Sequence, residues 1–198
     1  MTTINYVSVV APADHVGGAA QGRWTYASYA AVPDDGQRYE VIDGVLYTAP
    51  APNEGHQSTN ISIATHLMID VKFTGLGRVY AALFDVELAP NIVVQPDVLV
   101  VLGANQDIIT PSRITGAPDL VVEIVPPSTA TYDRSKTLRA YEQAGVQEFW
   151  IADPASRNIA VLLLKPNEYR SQSVFASKAT LPSRVVPGLP VQVQQFYA

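Results

Sequence analysis

Cysteine is absent from the 198 residues. Its absence excludes disulfides, thiolate metal sites and a cysteine nucleophile, and it fits a cytoplasmic protein. No apolar run reaches the roughly 18 residues that a membrane helix needs. The first stretch, MTTINYVSVVAPADHVGGAAQGR, carries no basic n-region and does not read as a secretion signal. Basic charge is scarce: 13 Lys and Arg stand against 18 Asp and Glu, a net charge of -5, with no run of Lys or Arg. Proteins that grip nucleic acid broadly carry a basic patch or stripe, so tight autonomous binding to a duplex is disfavoured and a local groove stays open. A GxSxG motif is missing, and no His stands near Ser128 in sequence, which argues against a serine hydrolase.

What remains is a chain of globular make-up, 47% hydrophobic and 16% charged, long enough for one domain with a sizeable core. Residues 1–22 show no clean period and read as a loosely held arm, with a single domain over 23–198. Trp24–Val32 reads as a short helix capped by Thr25. Asp43-Gly44, between alternating residues, signals a hairpin. In its first strand Glu40 shares a face with Ile42. Asn53 caps a following helix on which Ile61, Ala64, Leu67, Met68 and Val71 follow amphipathic spacing. His56 falls at the start of that helix, where anions are attracted. A later helix, with Ser128, Thr129 and Thr131 as candidate caps, runs to Ala144 and is closed by Gly145. Lys136, Ala140 and Ala144 share one of its faces. Helices alternating with strands give an α/β core with antiparallel additions.

The chemistry concentrates in residues 95–125. Two apolar runs, VLVVL and LVVEIV, each follow a Pro-Asp pair and read as buried strands. Glu123 interrupts the second, and an unpaired buried carboxylate is costly. Asp119 and Glu123, in one strand, stand roughly 13 Å apart, too far to share an ion. Asp97 opens the other strand. If the strands are neighbours, Asp97 and Glu123 converge on one divalent cation. A salt bridge from Glu123 to an arginine is the alternative.

Several ordered pieces carry a family resemblance: Arg38-Tyr39-Glu40-Val41-Ile42-Asp43-Gly44, the Pro50-Ala51-Pro52 loop with His56, Val94-Gln95-Pro96-Asp97, and Ala117-Pro118-Asp119 through Glu123-Ile124. Pro127-Ser128-Thr129, Tyr141 to Val146, Glu148 to Ile151, Asp153-Pro154 and Val186 to Leu189 complete the set. Together they resemble the Uma2 family of restriction-endonuclease-like proteins over residues 23 to 197. The resemblance implies the PD-(D/E)xK nuclease fold, a mixed sheet flanked by helices, here with hairpin additions. It also implies a metal-dependent nuclease acting on DNA, with Asp97 and Glu123 holding Mg²⁺ (or Mn²⁺) and Glu40 completing the site. His56 would face the substrate. The motif lysine, two residues after Glu123, is replaced by Val125. The family places a lysine four residues before a tyrosine on the next helix; here that place is Thr137, and Lys136 stands one residue earlier. A catalytically impaired binding or assembly module, forming a homo-oligomer through a sheet edge, is the rival expectation.

Overall fold

A computed structural model of the chain describes residues 11–49, 51–81, 83–125 and 134–197. In chain order the elements are β1 (Ala11–Pro12), α1 (Tyr26–Tyr29), β2 (Arg38–Ile42), β3 (Val45–Ala49), α2 (Glu54–Leu67), β4 (Gly77–Ala81), β5 (Asp85–Ala89) and β6 (Ile92–Val94). There follow β7 (Val98–Leu102), β8 (Arg113–Thr115), β9 (Leu120–Ile124), α3 (Arg134–Ala144), β10 (Glu148–Asp153), β11 (Asn158–Leu164) and β12 (Tyr169–Ala176). A π-helical turn, Met68–Lys72, extends α2.

Local chemistry explains the boundaries. Thr25 and Ser28 form a reciprocal capping box on α1. Asn53 accepts the His56 backbone N–H at 2.9 Å and starts α2. The β2–β3 hairpin turns on Asp43 and Gly44, with φ of 53° and 74°, the two left-handed residues of a type I′ turn. A Cβ on Gly44 would also meet the Gly22 carbonyl oxygen at 2.7 Å. The three candidate capping residues of α3, Ser128, Thr129 and Thr131, lie outside the described residues.

The strands form two six-stranded sheets, β1-β3-β2-β6-β5-β8 and β12-β11-β10-β9-β7-β4. Both are mixed, since β5–β8 and β9–β10 pair in parallel and the rest antiparallel. The β2–β3 hairpin, one of the expected antiparallel additions, belongs to the first of these sheets. The expected loose arm is tied down from Ala11 onward. β1 pairs with β3, Ala13 is 1% exposed, and the Gln21 side chain accepts the Leu46 N–H at 2.8 Å.

Alternation along the second sheet sorts its side chains onto two faces. Val98, Val100, Leu120, Val122 and Trp150 pack with α2 and the C-terminal segment. Leu99, Val101, Val121, Phe149 and Ile151 pack with α3 and the inner strands of the first sheet. The stripe that α2 buries is Ile63, Leu67 and Val71. The expected stripe included Ile61, which is 65% exposed: an i, i+4, i+8 line through Ile63 faces the sheet, and Ile61 lies about 200° from it. Among the described residues no helix is long and apolar enough to cross a membrane.

A candidate active site at the junction of the two sheets

The chain leaves the first sheet at Val94 and enters the second at Val98. The crossing residues Gln95, Pro96 and Asp97 put Asp97 beside both sheets. β7 runs antiparallel to β9 with Val98 opposite Val122, so the same register continued by one step sets Asp97 opposite Glu123. By alternation each shares the face of Leu99 and Val121, toward α3 and the first sheet. Directly opposed residues of an antiparallel pair hold their Cβ atoms about 4.5–5.5 Å apart. Asp97 is 2% and Glu123 8% exposed.

Neighbouring elements supply the partners. Asp97 Oδ2 accepts the Ile124 N–H at 2.8 Å and Nε2 of His56 at 3.1 Å. Arg38 Nη1 stands 3.6 Å from Asp97 Oδ1, an ion pair too long to be a hydrogen bond. Arg38 Nη2 donates to the Gln95 carbonyl at 2.6 Å. Arg38 and Glu40 lie on one face of β2, and Glu40 Oε1 accepts the Gln95 N–H at 3.0 Å. Tyr141, on α3, donates its hydroxyl to Glu123 Oε1 at 2.8 Å.

Three buried carboxylates therefore share the Arg38 guanidinium. Burial pushes the Glu123 carboxyl well above the ordinary carboxylate range, the charges of Asp97 and Glu40 push it further, and the Tyr141 hydroxyl and Arg38 offset only part. Burial also raises Glu40, against the pull of Arg38 and the Gln95 N–H. For Arg38 itself, burial opposes the charge, but Glu40, Asp97 and Glu123 outweigh it and hold the guanidinium above its usual range. Burial and mutual repulsion thus disfavour the charged form of Glu123 and Glu40, a condition that a bound cation relieves.

Among the described residues no group of three His, Cys, Asp or Glu could hold a metal by itself. A closed, all-protein cage is therefore not what these residues offer. Two carboxylates facing each other, with Asp97 Oδ1 not hydrogen-bonded to Arg38, fit a hard cation that keeps its waters and completes its shell with substrate oxygens, as Mg²⁺ does.

Of the residues singled out in the sequence, Asp97, Glu123, Glu40 and His56 come together. His56 touches Asp97 directly instead of standing apart at a rim. Asp119 is elsewhere, accepting the Leu102 N–H at 2.7 Å and the Asn105 amide at 2.6 Å. Lys136 lies in the first turn of α3, half-buried. Thr137, at the family's lysine position, is 4% exposed, and its hydroxyl has no hydrogen-bond partner among the described residues. Arg38 and Gln95 were missed as site residues. The signal for Arg38 was period two, which places it on Glu40's face.

A cavity of about 590 Å³ opens beside Asp97, His56 and Arg38. Gln95 also borders it; its amide nitrogen donates to Asp85 at 2.8 Å and to the Tyr29 hydroxyl at 3.1 Å.

The family model named Uma2, described as "Putative restriction endonuclease", matches residues 26–194. The chain belongs to the Uma2 family. A solved structure described as a "putative nuclease belonging to DUF820", from Anabaena variabilis, superposes with a TM-score of 0.72 at 19% identity, covering 88% of this chain and 97% of that one. That likeness shows that this Uma2 chain has the fold of restriction-endonuclease-like proteins. No curated protein matches it significantly.

Proposed function

We propose that this Uma2 protein is a metal-dependent nuclease that hydrolyses phosphodiester bonds in nucleic acid, DNA in the first instance. The observation that carries the reading is the facing pair Asp97 and Glu123, buried together with Glu40, with burial and the neighbouring acids raising the Glu123 carboxyl. Asp97 and Glu123 would hold Mg²⁺ or Mn²⁺, which supplies charge to polarise a phosphate oxygen and to acidify a water. The chain's own residues do the rest. The Ile124 N–H and His56 fix the orientation of Asp97, and Tyr141 fixes that of Glu123. Glu40 holds the Gln95 backbone, and with it the approach to Asp97. Arg38 offers a guanidinium to a phosphate oxygen once a metal takes over its charge-balancing role. Lys136 would orient the water that adds to phosphorus, or balance charge as the bond to the leaving oxygen breaks.

The test is calorimetric titration with Mg²⁺ followed by plasmid nicking. Wild-type protein is expected to bind the ion and nick, and Glu123→Gln to do neither. Wild-type protein that binds no divalent cation overturns the reading.

A second reading keeps the family and fold without the chemistry: a binding or assembly module. The buried Val125 and Thr137, at the two positions where related nucleases carry a lysine, favour it. Thermal melting separates the two, because a cation bound only by the folded state raises Tm. In either case association of copies would use an outer strand of the second sheet, β4 or β12, since a sheet edge offers unpaired backbone groups. A cytoplasmic location fits the cysteine-free sequence.

A further inference from the structure

The cavity beside Asp97 is lined by unlike groups: the polar and charged Arg38, His56 and Asp97, and the apolar Ala30, Val32 and Pro33 from the α1–β2 connection with Ala51 and Pro52 ahead of α2. Asp34 at its border is engaged with the Gly36 N–H at 3.1 Å. A volume of about 590 Å³ suits one small flat ligand and lies within the usual range for small-molecule clefts. A duplex is far too wide to enter it. Gln95 is 9% exposed. Its amide nitrogen is used twice, while its buried Oε1 has no hydrogen-bond partner among the described residues, and neither has the buried Arg38 Nε.

Resting on the nuclease reading, we infer that this cavity receives one unpaired nucleoside next to the scissile phosphate, so that the substrate is single-stranded or splayed nucleic acid, not an intact duplex. Asp97 is part of the lining, and the phosphate would lie beside it. The apolar residues of the lining take a base, which exposes an apolar face only when it is unstacked. The overall charge agrees. A chain of net charge -5 with no basic run lacks the many phosphate contacts by which proteins hold a duplex backbone, and burying a base gives affinity without them.

The test is fluorescence anisotropy with one labelled sequence as a single strand, as a blunt duplex and as the RNA single strand, in Ca²⁺ to suppress cleavage, alongside Mg²⁺ calorimetry. The single strand is expected to bind roughly tenfold or more tightly than the duplex. Ala30→Trp and Ala51→Trp, at exposed positions on two separate walls, are expected to remove that preference while Tm and Mg²⁺ affinity stay unchanged. The RNA arm assigns DNA or RNA within the same class. Equal or tighter binding of the duplex by wild-type protein overturns the inference, as does an unchanged strand preference in both folded Trp variants. Mg²⁺ binding without strand preference sinks the pocket alone; strand preference without Mg²⁺ binding sinks the nuclease reading alone.

Discussion

Tyr141 donates its hydroxyl to Glu123 Oε1 across 2.8 Å, joining α3 to the middle of β9. The bond favours the ionised carboxylate, which burial and the neighbouring acids oppose. Tyr141→Phe removes it and leaves the ring in place. The Glu123 carboxyl then rises further, and a metal that needs it ionised binds only at higher pH. A hydrogen bond to a charged group contributes about 1.5–3 kcal/mol, which corresponds to about one pH unit or more. Mg²⁺ titrations across pH are expected to show the midpoint move upward by about that amount. An unmoved midpoint would mean that Tyr141 serves packing alone.

The same carboxyl makes stability depend on pH. Its folded-state pKa lies above the ordinary 4.5, so the folded protein binds this proton more tightly than the unfolded chain. Its stabilising contribution is full below about pH 4.5 and is lost as pH rises through the raised folded value. Without divalent cation, Tm of the wild type relative to Glu123→Gln is expected to fall as pH is raised from 4.5 toward neutrality. Adding Mg²⁺ at neutral pH should recover the loss in the wild type only. Parallel Tm curves for the two proteins would refute the account in which burial and the neighbouring acids disfavour the Glu123 carboxylate.

Much of this was legible in the sequence because it follows from period and turn chemistry. VLVVL and LVVEIV had to be buried strands, and the cost of burying Glu123 called for a partner. Asp97 was the acid able to reach it, once four residues of strand had separated Asp119. The Asp43-Gly44 turn and the Asn53 cap rest on side chains that act within a few residues. The division into two sheets was not legible, because alternation states which face a residue takes but not which sheet its strand joins. For the same reason Arg38, set against Asp97 from β2, could not be separated from an ordinary exposed arginine. The buried stripe of α2 went wrong at Ile61, since an apolar residue on a helix records no direction by itself.

Asp97 has a structural duty beside any chemical one, because its Oδ2 accepts the buried Ile124 N–H. Asp97→Ala leaves that donor unsatisfied at a cost of about 1–3 kcal/mol. Asp97→Asn keeps an oxygen for it while removing the charge. Both variants are expected to lose Mg²⁺ binding in calorimetry, with only Asp97→Ala showing the full loss of stability in urea. Chemical denaturation that finds the two equally destabilised would assign the cost to the lost charge balance with Arg38, not to the orphaned backbone group.

Thr137 offers a direct choice between an active and a lapsed enzyme. It precedes Tyr141 by one helical turn and so shares its face, and its buried hydroxyl has no partner among the described residues. A lysine at this position would start one turn from the residue that already reaches Glu123. Lys136, one residue earlier, is rotated about 100° around the helix axis. If hydrolysis is limited by that displacement, Thr137→Lys raises Mg²⁺-dependent cleavage by roughly tenfold or more, within the range that a well-placed proton-transfer group supplies. The price of a long side chain in a packed position is about 1–3 kcal/mol of stability, so Tm is followed in parallel. Lys136→Ala in the wild-type background should lower whatever cleavage exists. Cleavage unchanged by both substitutions, in proteins that remain folded and bind Mg²⁺, would remove lysine from the mechanism and leave the cation and Arg38 as the charges available to the transition state.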